Sequence, residues 1–198
     1  MRKLSDHRMN KIKAVVAQRQ SGLVVVLEDI HDPHNAAAIL RTCDAFGIQR
    51  VVFIFEKEES YNPRRIGKLS SSSANKWLTL DIYKSTEECL KNLKKEKFEI
   101  VATALTKNSQ NLYEASLTGE KLALIIGNEH RGVSEAILKN SDRVIMLPMS
   151  GMVQSLNASV SAALFIYEII RQRRESGRGY SLSKSESKAL INTFSEKA

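Results

Sequence analysis

The sequence predicts an α/β fold: a mostly parallel, six-stranded sheet with helices on both faces. Two short runs, Leu23–Leu27 (LVVVL) and Val51–Phe55, are apolar without alternation, as strands buried on both faces require. The stretches between strands carry helical spacing and cap residues, so helices and strands alternate along the chain. At 198 residues and 42% hydrophobic content, one sizeable core is within reach.

In order, Ser5 to Gln20 reads as a basic helix with Met9, Ile12, Val15 and Val16 at helical spacing, stopped by Ser21-Gly22. After the first strand and a loop from Glu28 to His34, Asn35 to Phe46 is a helix closed by Gly47. The second strand leads into a polar excursion, Glu56 to Ser73, with Pro63-Arg-Arg and four serines from Ser70, ending at Lys76-Trp77. Thr79 to Tyr83 is a weak strand, and Ser85-x-x-Glu88 is a capping box opening a helix to about Lys97. Phe98–Thr103 and Lys121–Ile126 are strands joined by a linker. Gly127 to Gly132 is a loop, Val133 to Asn140 a helix and Val144 to Leu147 the last strand. A helix restarts at Ser155, where Ser155, Leu156 and Asn157 sit at an N-terminus with unpaired N–H groups. After a hinge at Ser176 to Ser181, Ser183-x-x-Glu186 caps a final helix to Phe194. The expected layout is a basic helix at 1–20, a main domain at 21–170 and a basic extension at 171–198.

The net charge of +8 is concentrated at the ends. Residues 1–20 hold six Lys and Arg against one acid, residues 171–198 seven against three, and the middle is nearly balanced. Arginine clusters match phosphate geometry, so Arg8, Arg19, Arg171, Arg173, Arg174 and Arg178 are expected to grip RNA. No apolar run approaches the roughly 20 residues of a membrane span, and Met1-Arg-Lys-Leu-Ser lacks a signal-peptide core. The expected setting is cytoplasmic, with Cys43 and Cys89 reduced and structural.

No GxGxxG follows the first strand, and GxxxxGK[ST], HExxH and GxSxG are missing. His31 and His34 share a loop without further ligand-type neighbours, so no metal is expected. Three strand-to-helix junctions remain as candidates: Asn35 with Arg41, Gly127-Asn-Glu-His-Arg-Gly132, and Ser155-Leu-Asn157. An arginine in an otherwise apolar helix and a carboxylate, Glu129, in a glycine-bounded loop each have a bland surface reading; their joint occurrence points to a site.

The stretches HNAAAILRTCDAFG from His34, LIIGNEHRGV from Leu124 and LPMSGMVQSLNASVSAA from Leu147 resemble, in this order, the signature of the SPOUT-class TrmH (SpoU) family of RNA 2′-O-methyltransferases. The resemblance covers Leu23 to Tyr167 and, with Lys76-Trp77, lies nearest the tRNA guanosine-18 enzymes. It implies a C-terminal deep trefoil knot at about 103–167, whose loops bind S-adenosyl-L-methionine. By position this implicates Thr103, Gly127, Leu147 and Leu156 in cofactor binding, and Arg41, Asn35, Glu129, Ser155 and Asn157 in catalysis. Arg41 would activate the ribose hydroxyl, or hold the substrate phosphate or developing alkoxide, roles more natural to a guanidinium whose pKa exceeds about 12.

The resemblance further implies a homodimer whose sites draw on both subunits, acting on tRNA at guanosine 18 of the D-loop. Two alternatives stand: a ribosomal-RNA 2′-O-methyltransferase of the same family, and a non-catalytic RNA-binding module. Relatives of the first kind often carry an extra N-terminal domain, and the roughly 22 residues before the first strand weigh against it.

Overall fold

The computed structural model describes residues 4–66 and 74–198, so the serine run from Ser70 and the basic Arg2 and Lys3 lie outside the described residues. The chain runs α1 (Asp6–Ala17), β1 (Gln20–Glu28), α2 (Pro33–Ala45), β2 (Ile48–Ile54), α3 (Ala74–Trp77), β3 (Thr79–Tyr83) and α4 (Thr86–Lys95). It continues with β4 (Glu99–Thr103), β5 (Gln110–Asn111), β6 (Leu122–Ile126), α5 (Glu135–Asn140), β7 (Arg143–Met146), α6 (Ala158–Glu175) and α7 (Lys184–Lys197). Among the described residues one sheet of seven strands results, in the order β3-β2-β1-β6-β4-β7-β5, and every neighbouring pair is parallel.

Seven strands replace the expected six because β5, two residues inside the stretch read as a linker, pairs with the edge of β7. It carries no apolar run of its own; its place is set by its neighbour. The central strands β1 and β6 are buried on both faces, as their unbroken apolar runs demand. Alternate residues of these strands feed two cores. Val25, Leu27, Phe53 and Leu124 point to α2 and α6, while Val24, Val26, Val52, Ala123 and Ile125 point to the α4 and α5 side. The pleat therefore sorts one continuous sequence into two hydrophobic layers.

Helix starts follow side-chain caps. Asp32 caps α2 and Pro33 occupies its first turn, so the helix begins two residues before the expected Asn35. Ser85 accepts from the Glu88 amide at α4, and both halves of a capping box close at Ser183 and Glu186 of α7. α1 ends at Ala17, short of the expected Gln20, because Gln20 instead donates its amide to Gly47 in the sheet.

Outside the two main cores, α1 and α7 share a cluster of Ile12, Val16 and Phe194, with Trp77 and Leu190 against it. The basic ends are thus packed helices, and the expected boundary at 170/171 falls inside α6. Two arginines assigned to RNA are turned inward, which corrects their assignment. Arg19 is 1% exposed, paired with Asp44 at 2.6 Å and bonded to the Ile48 carbonyl. Arg173, also 1% exposed, donates to the carbonyls of Ser21, Gly22 and Gly119 at 2.9, 3.1 and 2.9 Å. Burial lowers its pKa to about 10, so it remains charged at neutral pH. Cys43 and Cys89 are free and buried, and burial pushes both thiols up.

Candidate active site

The carboxyl ends of β4, β6 and β7 open onto a cleft of about 360 Å³, the place where ligands collect in open parallel sheets and a volume suited to a small ligand. Its apolar wall includes Ile126, Met146, Leu147, Leu156 and Phe165; Thr103, Gly127, Glu129, Arg131 and Ser155 supply the polar side. All four residues expected to hold a cofactor therefore line one cavity, with Glu129 and Ser155 beside them. Thr103 lines the cleft and turns its hydroxyl to the Ile125 carbonyl at 3.0 Å.

Gly127 opens the loop that leaves β6. A Cβ at this position would stand 2.3 Å from both the Gly132 carbonyl carbon and the Val133 nitrogen. The loop closes this tightly because Asn128 and Gly132 exchange backbone hydrogen bonds, at 3.1 and 2.9 Å. The Asn128 side chain then accepts from the amides of His130 and Arg131 and donates to the Asp29 carbonyl at 2.7 Å.

Glu129 points across to the start of α2. Its Oε2 accepts the His31 amide at 2.8 Å, and its Oε1 accepts the Asp32 amide at 3.2 Å and the Asn35 side chain at 2.9 Å. Partial burial works to raise the carboxyl, but the hydrogen bonds from Asn35 and the backbone outweigh it and hold Glu129 below the ordinary range. An ionised carboxylate only accepts, so Asn35 must present its NH₂ to Glu129 and its Oδ1 to the other side. That Oδ1 accepts from Asn157 Nδ2 at 2.9 Å. The Asn157 Oδ1 in turn caps α6 through Ser159 and Val160. Asn157, not Ser155, is thus the helix N-cap; Ser155 lies two residues earlier, exposed in the loop.

One relay, Glu129–Asn35–Asn157, joins residues from the three motifs and fixes the orientation of both side-chain amides. Arg41 lies farther along α2 with its side chain exposed. His34 is exposed, its amide bonded to the Asp32 cap. Among the described residues no group of three His, Cys, Asp or Glu could hold a metal ion, and no helix is long and apolar enough to cross a membrane.

Two residues beside the cleft were not singled out from sequence. Asp29 and Glu58 bind Asn128 and Arg131 of the loop that lines it. Asp29 has φ +51, a backbone value that favours few residues besides glycine and Asn/Asp; no sequence signal marks it.

Fold and cleft define an α/β protein with a ligand-sized cleft beyond the carboxyl ends of its parallel strands and an amide relay beside it. The chain belongs to the SpoU rRNA Methylase family, whose sequence profile matches residues 22–167. It is 38% identical over 180 residues to a tRNA (guanosine(18)-2′-O)-methyltransferase of Thermus thermophilus, with 89% of each chain aligned. Among solved structures it is similar to the A. aeolicus TrmH/SpoU tRNA modifying enzyme, with TM-score 0.86 and 32% identity over 96% of this chain and 97% of that one. It is also similar to the SpoU methyltransferase AviRb from Streptomyces viridochromogenes in complex with the cofactor AdoMet, with TM-score 0.70 and 26% identity over 82% and 64% of the two chains.

Proposed function

We propose that the protein transfers a methyl group from S-adenosyl-L-methionine to a ribose 2′-hydroxyl of tRNA, at guanosine 18 of the D-loop. The observation that carries this reading is the relay: Glu129, Asn35 and Asn157, 94 and 122 residues apart along the two bonds, meet at the rim of one cleft. The tRNA guanosine-18 relatives support the substrate, and the AdoMet complex of AviRb supports the cofactor.

The cleft fits that cofactor chemically. Leu147, Leu156 and Ile126 would offer an apolar wall to an adenine ring, the narrow Gly127 turn would let backbone approach closely, and the ionised Glu129 would favour a cationic group. When bound, the cofactor supplies an electrophilic methyl group. The chain's own residues then align the attacking hydroxyl, and alignment alone is worth a large share of the barrier. Asn35 and Asn157, oriented by Glu129, hold the ribose, with Ser155 beside them. Arg41 holds the substrate phosphate or the developing alkoxide, since a guanidinium is a strong anion binder and a poor base.

The rest of the reading concerns assembly. Val160, Leu164 and Tyr167 form an exposed apolar stripe at i, i+4 and i+7 of α6, with exposed Met152 and Val153 in the preceding loop. A patch of this kind marks an association surface, which supports a homodimer that completes each site with the partner's residues. Family membership supports the trefoil knot at about 103–167. Arg8, Arg174 and Arg178 remain as the RNA-gripping cations, and Arg171 joins them only by giving up ion pairs with Glu168 and Glu175. The enzyme acts on tRNA in the cytoplasm.

Incubation with labelled S-adenosyl-L-methionine and unmodified tRNA transcripts tests the proposal. Label is expected in the RNA, and Arg41→Ala is expected to lose transfer while keeping cofactor affinity. Retained RNA binding without transfer by the natural protein would overturn it.

A further inference from the structure

The segment that follows β2, read from sequence as a polar surface excursion, is tied to the loop that lines the cleft. Asp29 is 5% exposed, and its Oδ1 accepts three consecutive amides, those of Glu56, Lys57 and Glu58, at 2.9, 3.0 and 3.1 Å. This convergence turns the chain back on itself and aims Glu58 inward, leaving its side chain 17% exposed. The Glu58 carboxylate then meets two loops at once. Its Oε2 takes His31 Nδ1 at 2.8 Å, and its Oε1 takes Arg131 Nη2 at 2.6 Å and Asn128 Nδ2 at 3.3 Å.

His31 donates its amide to Glu129, while Asn128 and Arg131 flank Glu129 in sequence. Glu58 thus holds both sides of the joint in which Glu129 sits, without touching Glu129 itself. We propose that Glu58, anchored by Asp29, is a positioning residue for methyl transfer: it fixes the Glu129 loop against the start of α2 so that Asn35 and Asn157 keep a productive geometry. The inference rests on the methyltransferase reading above.

The alternative is an ion cluster that adds only local stability, and pH separates the two. His31 is exposed and faces Glu58, Glu129, Asp32 and the edge of His130. The hydrogen bond and charge of Glu58 raise its pKa above 6.5, while His31 and Arg131 hold Glu58 below the ordinary carboxyl range. Glu58 is therefore ionised throughout, and the His31–Glu58 pair is fully charged below the ordinary histidine range. It weakens as pH rises through the raised His31 pKa.

Glu58→Gln removes the charge and keeps the size. The expected result is a fall in kcat of about tenfold, in line with the sensitivity of transfer to small misplacements. The KM for S-adenosyl-L-methionine and the melting temperature should remain close to the natural values. The ratio of natural to variant kcat should shrink as pH rises from about 6 to about 9, because the natural protein then loses the same ion pair. In the pH-insensitive background His31→Gln, the ratio should be flat. An unchanged kcat, a constant ratio across pH in the presence of His31, or a loss confined to stability would overturn the positioning role. If the natural protein transfers no methyl at any pH, the methyltransferase reading itself fails, so the two failures are distinct.

Discussion

Replacing Arg173 by methionine separates packing from RNA binding at the position where the sequence misleads most. The guanidinium pins the carbonyls of Ser21, Gly22 and Gly119 and stacks 4.3 Å from the Tyr180 ring centre. It thereby ties the end of α6 to the start of β1 and to the turn before β6. A charge-assisted hydrogen bond contributes about 1.5–3 kcal/mol net, so three give at least about 4.5 kcal/mol. Relief of guanidinium desolvation and burial of the methionine offset part, leaving a loss of about 3–5 kcal/mol. At roughly 2–4 °C per kcal/mol for a chain of this size, the melting temperature should fall by roughly 10 °C. Thermal and urea unfolding measure this, with tRNA affinity measured below the transition. An unchanged melting temperature together with weakened tRNA binding would refute the structural role and restore Arg173 to the RNA-facing set.

Three further outcomes follow from named side chains. Gly127→Ala drives a methyl group against the backbone of Gly132 and Val133, so it should cost about 1–3 kcal/mol or more and weaken S-adenosyl-L-methionine binding measured by calorimetry; a variant that binds normally would remove the close-approach argument. Leu164→Glu places a charge in the exposed stripe of α6, and should shift sedimentation from dimer to monomer with loss of transfer; an unchanged sedimentation coefficient would exclude this face as the dimer interface. Arg174→Glu with Arg178→Glu changes two exposed cations outside the core. This pair should leave melting unaltered and flatten the salt dependence of tRNA binding, the slope falling by about one for each phosphate no longer neutralised; an unaltered slope would release both residues from that role.

Much of the fold can be read in the chain because burial on two faces leaves an unmistakable pattern. LVVVL at Leu23 and LALII at Leu122 are central strands for this reason. What escaped reading depends on neighbours far away in sequence. β5 is a strand only because β7 offers an edge. Ser155 and Asn157 are both good capping residues, and the choice falls to Asn157, which also reaches Asn35 on α2. Arg19 and Arg173 look like RNA ligands by composition, yet Arg173 continues the buried stripe Ile166, Ile169 and Ile170 of α6, a periodicity that marks it as inward.

The site divides the same way. The residues expected to hold a cofactor and the members of the relay, though not its hydrogen bonds, were marked by motif position, and the structure places them at or beside the cleft. Glu58 and Asp29 were not, because a polar segment after a strand carries no periodic signal and their side-chain partners lie 27 to 73 residues away. A positive φ at Asp29 is visible only in three dimensions.

The most direct test of the central claim is to map the methylated nucleotide after reaction with a full-length unmodified tRNA, by nuclease digestion and mass spectrometry. A single 2′-O-methylguanosine at position 18, lost when guanosine 18 is replaced, is the predicted result; methylation elsewhere on the tRNA, on the base rather than the ribose, or only on ribosomal RNA would contradict it.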